Sequence, residues 1–250
     1  MDKLVFTSLS GQDAVSMRLR QVSNEIANAS TTAFKRSFPS GLKTLRLDGE
    51  GFASRYVSSP TLESRVDLTP GAVLRTGNAL DISLGDDQLL VVKAINGETA
   101  YTRRGDLKVG ADGTLRVGTG LQVLDQAGAP IAIPALAELK IGTDGTVLVL
   151  PIGAQAGTFT PLTRMQIAQA DPAKTVLRED GLFAQSDKSP FSAATLPRVL
   201  AGSLESSNSN LFSSMVEMIT LSRQYEMTVK ILKETSDLAQ KTQTLAKLGA

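Results

Sequence analysis

Between residues 203 and 248 the chain has neither glycine nor proline, and that stretch constrains the fold more than any other feature. Within it Leu211, Met215, Met218, Ser222, Tyr225, Val229, Leu232, Ser236 and Ala239 follow one another at alternating steps of 4 and 3. This is the a/d spacing of a helix that buries a narrow seam against other helices. About 40 helical residues at about 1.5 Å each make a rod of ~60 Å. That is much longer than the usual helix of a globular domain, and it favours a coiled coil or a helix shared among neighbouring molecules. Ser206, Ser207 and Asn208 are the candidate N-caps.

The opposite end of the chain carries the same spacing. Val15, Leu19, Val22, Ile26 and Ala29 step by 4 and 3 until Thr31 and Thr32 interrupt them. An amphipathic helix seated on the core of its own domain would read the same way. Two seams at opposite ends of one chain can also pair with each other and with copies on neighbouring molecules.

The middle has a different texture. Residues 37–70 carry Pro39, Gly41, Gly49, Gly51, Pro60 and Pro70, which predicts extended chain with little helix. From 71 to about 200, short β-rich runs such as Leu89-Leu90-Val91-Val92 and Val147-Leu148-Val149-Leu150 alternate with turn residues. Asn96-Gly97, Asp112-Gly113 and Asp144-Gly145 predict hairpins with type I′ turns. Residues 107–117 match residues 139–149 at seven of eleven positions, which predicts a repeated hairpin. The fold class is therefore mixed α and β in segregated parts: N- and C-terminal helices forming a coiled coil, plus a central all-β domain. The expected divisions are 1–36, 37–70, 71–200 and 201–250. The seams have no evident mate in the β body, so 71–200 is the expected protease-resistant fragment, and loss of 1–36 should leave that body folded.

The chain has no Cys and no His. That excludes thiolate nucleophiles, Cys-ligated metals and Ser-His-Asp catalysis. With 26 basic against 25 acidic residues, the net charge of +1 gives no electrostatic reason to expect nucleic acid as a partner. Four fragments carry part of a reactive pattern. Gly118-Thr119-Gly120 resembles a dinucleotide loop but opens no helix. Ser40 and Lys43 have Ser-x-x-Lys spacing in an apparent linker. Asp86-Asp87 is too thin a ligand set for a cation, and a solvated turn explains it better. Tyr101 to Asp106 reads as polar groups on a sheet edge. No catalytic residue, cofactor, metal or small-molecule substrate is expected. The N-terminus lacks a basic segment followed by a long apolar run, so no cleavable signal is expected.

Several motifs together resemble one family. Residues 23–36, Ser-Asn-Glu-Ile-Ala-Asn-Ala-Ser-Thr-Thr-Ala-Phe-Lys-Arg, are similar to the N-terminal signature of bacterial flagellar rod and hook proteins. In that family an Asn-Asn-Leu-Ala-Asn core precedes Thr-x-Gly-Phe-Lys, and here Ala33 stands at the glycine. Thr76-Gly77-Asn78-Ala79-Leu80-Asp81 and Tyr101-Thr102-Arg103-Arg104-Gly105 resemble two of its central motifs. Residues 202–208 and 217–226 resemble its C-terminal signature. Where the family carries Gly-x-Gly-Phe-Phe, this chain has Gly85-Asp86-Asp87-Gln88-Leu89. Length and the first residues are most similar to the family's proximal-rod member. A distal-rod or hook-type subunit, or a non-flagellar β-domain binding module, is the alternative.

The resemblance implies a self-assembling structural subunit of the basal-body rod in the periplasmic space. Its terminal helices would line the inner wall of a tube as a coiled coil, and its β domain would face outward. It implies export through the flagellar type III apparatus, and as partners further copies of itself and the neighbouring axial rod proteins. Assembly is then expected to rest on Val15, Leu19, Val22, Asn24, Ile26, Asn28 and Phe34 at one end. At the other it would rest on Leu211, Met215, Met218, Tyr225, Val229 and Leu232.

Overall fold

The computed structural model describes residues 2–39, 42–46, 56–60, 64–151 and 159–248. The chain divides into two compact units. One holds Met1–Ala27, Pro39–Leu62 and Asn210–Ala250; the other holds Asn28–Phe38 and Glu63–Ser209. The β-rich unit is thus wider than the 71–200 expected above, because the segments on either side of it are built into it.

The first unit is a helix pair with the hairpin Leu42–Arg46/Tyr56–Pro60. Helix α1 spans Asp2–Ala27 and α2 spans Leu211–Leu248. They run antiparallel: Arg18 pairs with Glu217, and Glu25, further along α1, meets Ser214, further back on α2. Helix α1 begins well before the Val15 seam and ends at Ala27, so Ala29 lies beyond its last turn. The predicted caps of α2 are corrected. Asn210 is the N-cap, its Oδ1 accepting the Phe212 and Ser213 amides at 3.1 and 3.2 Å. Ser206, Ser207 and Asn208 are spent elsewhere, in the β unit.

The β unit is built around the strand Gln88–Lys93. Leu89, Leu90, Val91 and Val92 are all buried, which is why they read as an unbroken apolar run. Leu90 and Val92 enter one core, with Leu115, Val117, Ile141, Val147 and Ile167. Leu89 and Val91 enter a second, with Val66, Leu68, Tyr101, Phe183 and Phe191. Alternation along one strand therefore feeds two cores from its two faces. In the second, Tyr101 and Phe191 meet edge to face at 4.7 Å. The large sheet runs Ser64–Val66, Thr175–Leu177, Phe183–Gln185, Thr99–Thr102, Gln88–Lys93, Gln122–Val123, Leu115–Val117, Leu107–Val109. Thr99–Thr102 is an interior strand of it, so the reading of Tyr101–Asp106 as a sheet edge is corrected. The repeat at 107–117 and 139–149 is a pair of hairpins, with Leu115 opposite Val109 in one and Ile141 opposite Val147 in the other.

The hairpin turns are not type I′. Gly97, Gly113 and Gly145 have φ of +84°, +71° and +82°, but Asn96, Asp112 and Asp144 before them do not have positive φ. Each glycine amide donates to the carbonyl three residues back, and the residue there donates to the one following the glycine. This is a type I turn closed by a left-handed glycine bulge. The same pattern recurs at Gly120, Gly128 and Gly181. The Asx residue earns its place differently from the expectation: its Oδ1 accepts the amide two residues on, as Asn96 does from Glu98 and Asp144 from Thr146.

Two non-glycine residues take left-handed conformations where the resembled motifs have glycine: Ala33 at φ +54° and Asp87 at φ +53°. Ala33 is buried, and its amide donates to the Glu205 carbonyl at 2.8 Å. The left-handed geometry costs an alanine about 1–2 kcal/mol, part of which glycine returns as unfolded-state entropy. Ala33→Gly should therefore stabilise the β unit by about 0.5–1 kcal/mol, read as a higher midpoint in urea unfolding. A midpoint lowered by the substitution would contradict the strain reading.

Candidate assembly face and a buried ion cluster

The helix pair buries a mixed seam. On α1 Val15, Val22 and Glu25 are buried. On α2 Ser214, Met218, Leu221, Tyr225, Thr228, Leu232 and Thr235 form a sheltered stripe at steps of 4 and 3, flanked by half-buried Glu217 and Ser222. The sequence seam shares Met218, Tyr225 and Leu232 with this stripe. Of its other members, Ser222 is half-buried, whereas Leu211, Met215, Val229 and Ser236 are exposed. Leu19 and Ile26 are half-buried, Asn24 is exposed, and Asn28 and Phe34 are half-buried beyond the end of α1. Sequence reasoning missed Arg18, Glu25, Ser214 and Glu217. Polar residues inside an apolar repeat carry no signal until the partner helix supplies their hydrogen bonds.

The side of α2 turned away from α1 is unusually apolar. Phe212, Met215, Val216 and Ile219 form one strip at i, i+3, i+4 and i+7, with Phe212 80% and Val216 65% exposed. Met227, Ile231 and Leu238 continue the exposure toward the C-terminus. Large apolar side chains grouped on one exposed helix side differ from the single scattered ones normal on a monomer.

The β unit contains a buried cluster of three charges that the sequence reading did not single out. Glu205 Oε1 accepts from Lys35 Nζ at 2.6 Å and from the Gly71 amide at 2.8 Å, and Oε2 accepts from Arg103 Nε at 2.7 Å. Lys35 also donates to the Thr69 carbonyl at 2.6 Å. The remaining Arg103 nitrogens donate to the carbonyls of Gly85, Gln88 and Leu84. All three side chains are almost wholly buried. Burial pushes the Lys35 ammonium below its ordinary pKa, against the pull of Glu205. Burial alone would raise Glu205, but the Arg103 charge and the Lys35 hydrogen bond override it and hold the carboxyl below its ordinary range.

Among the described residues the four chemical fragments do not gather into a reactive site. Gly120 is a bulge glycine of a hairpin. Asp86 and Asp87 form the turn that the Gln88 amide closes on the Gly85 carbonyl. Ser40 lies outside the described residues. Among the described residues no group of three or more acidic, His or Cys side chains could hold a metal ion. No helix among the described residues is long and apolar enough to cross a membrane.

A chain with a long helix, an uncovered apolar strip on it and a separate β unit belongs to the class of subunits that complete their packing in an assembly. Residues 200–245 match the family model "Flagellar basal body rod FlgEFG protein C-terminal", and residues 86–149 match "Flagellar hook protein FlgE/F/G D1 domain". The flagellar basal-body rod protein FlgF of Escherichia coli K12 is 30% identical over the whole of both chains. FlgF of Salmonella typhimurium LT2 is 30% identical over 95% of each. FlgG of Agrobacterium fabrum is 28% identical over 92% of this chain and 94% of its own. The chain belongs to the flagellar basal-body rod protein family, as a structural rod subunit of the basal body.

Proposed function

We propose that this chain is a proximal-rod subunit whose helix pair forms a coiled coil on the inside of a tubular drive shaft. The observation that carries this reading is the apolar strip of Phe212, Met215, Val216 and Ile219 on the side of α2 away from α1. Its occupants would be the helices of further copies and of neighbouring axial rod proteins. Each large apolar side chain moved from water into such a contact contributes about 1.5–3 kcal/mol. Summed over a polymer, these contacts would give the stiffness that torque transmission across the periplasm requires. The resemblance of the N-terminal signature supports passage through the flagellar type III export apparatus before assembly. The role is structural, with no catalytic step and no cofactor.

The chain has no cysteine, so a single introduced one reports without background. Ile219→Cys, treated with a short thiol cross-linker, should join the subunit to a second axial subunit in isolated basal bodies and leave the free subunit monomeric. Cross-linking equal to that of a cysteine on the exposed hairpin tip at Ile95 would contradict the assignment of this strip to the interface.

A further inference from the structure

We propose that Lys35, Glu205 and Arg103 form a latch that fastens the two connectors of the β unit, and that it opens as one element while the cores stay closed. The connectors are the segments next to α1 and α2 in sequence. Residues 33–36 and 203–208 lie side by side in this unit, joined by Ala33 N–H to the Glu205 carbonyl and by Asn208 N–H to the Phe34 carbonyl. Residues 67–71 make the third side: the Asp67 amide donates to the Arg36 carbonyl, and Asn208 Nδ2 donates to the Asp67 and Thr69 carbonyls. At Gly71 a Cβ would run into the Ser206 carbonyl, so the backbones close to a distance only glycine permits. Glu205 sits at the centre, with one oxygen serving Lys35 and Gly71 and the other serving Arg103.

The latch is separate from the cores in its chemistry. Neither apolar cluster includes any residue from 28–38 or 203–209. The connectors are held instead by charge-assisted and backbone hydrogen bonds. Their strength depends on one carboxylate that bridges two cations. Taking Glu205 away leaves two buried cations facing each other with no acid between them. Taking Lys35 away leaves the Arg103–Glu205 pair balanced. A buried charge stripped of its counter-ion is costly, whereas a neutral pair that keeps its hydrogen bonds is tolerated. The cluster therefore has a hierarchy that general burial would not produce, because both side chains are equally hidden.

The test is residue-resolved hydrogen exchange on the full-length chain. In Glu205→Gln the amides of Ala33, Asp67, Gly71, Ser206 and Asn208 should exchange about a hundredfold faster or more. In Lys35→Met the same connector amides should speed up by less than about tenfold. An effect of Lys35→Met as large as that of Glu205→Gln overturns the proposal. Should Glu205→Gln fail to fold, the unsubstituted protein decides the matter. Across low denaturant its connector amides should share one opening step below that of the core amides, and a single step for both sets overturns the latch.

Discussion

Val229→Asp should yield a subunit that is made and folded in normal amount yet does not enter the rod. Val229 is 42% exposed on α2, outside the stripe that α1 shelters. In the free chain an aspartate there keeps its water, and the β unit is not involved. In an assembled rod, where neighbouring helices cover the position, the carboxylate must be desolvated or take up a proton. Either course costs at least a few kcal/mol per contact, or about two orders of magnitude in association. The expected result is unchanged thermal unfolding of the purified subunit together with loss of basal-body incorporation and of swimming. Gln224→Asp, at an exposed polar position of the same helix, should swim normally. Swimming Val229→Asp cells would remove Val229 from the assembly face, and a lowered unfolding temperature would show that its role lies within the subunit.

A chain of residues 28–209 should unfold in one cooperative transition, and a chain of 71–200 should not fold. The shorter piece loses Lys35 and Glu205, leaving the buried Arg103 guanidinium with carbonyl partners alone. Removing the partner of a buried charge costs about 3–5 kcal/mol. It also loses Val66 and Leu68 from the second core, each worth about 1.5–3 kcal/mol when buried. A domain's net stability is about 5–15 kcal/mol, so these losses consume most or all of it. Circular dichroism melts of the two fragments decide the point; a sharp melt for 71–200 at the temperature of 28–209 would refute it. An N-terminal deletion ending at 27 spares the β unit, whereas one ending at 36 also removes the backbone partners of Glu205, Asn208 and Asp67 and unsettles it.

What could be read from the chain was whatever depends on near neighbours. The unbroken run at 89–92, the glycines of the hairpins and the long stretch without glycine or proline each encode their element locally. Periods of two and of about three and a half residues arise from backbone geometry, which is the same in any fold. The turns show the limit of that reading. Asx-Gly marked the right places, but turn type depends on how the two strands meet, and here the aspartates and asparagines cap an amide instead of adopting positive φ.

The rest was decided only when distant segments met. Arg103 lies inside a motif that read as a polar edge, and the acid that pairs with it is 102 positions away. Nothing local distinguishes it from Arg104, whose partner Asp106 is close by and partly exposed. Glu25 and Ser214 sit in an apolar repeat as polar interruptions, and their pairing exists only because α1 and α2 run antiparallel. The direction in which a helix seam faces is likewise a tertiary property. A spacing of 4 and 3 is shared by neighbouring stripes on one cylinder, so the chain alone identified a helix built for packing. The position of α1 then determined that Met218, Tyr225 and Leu232 are sheltered within the subunit while Leu211, Met215 and Val229 remain exposed. Periodicity is a property of one chain segment, whereas ion pairing and the choice of buried face depend on distances between segments, which no single segment contains.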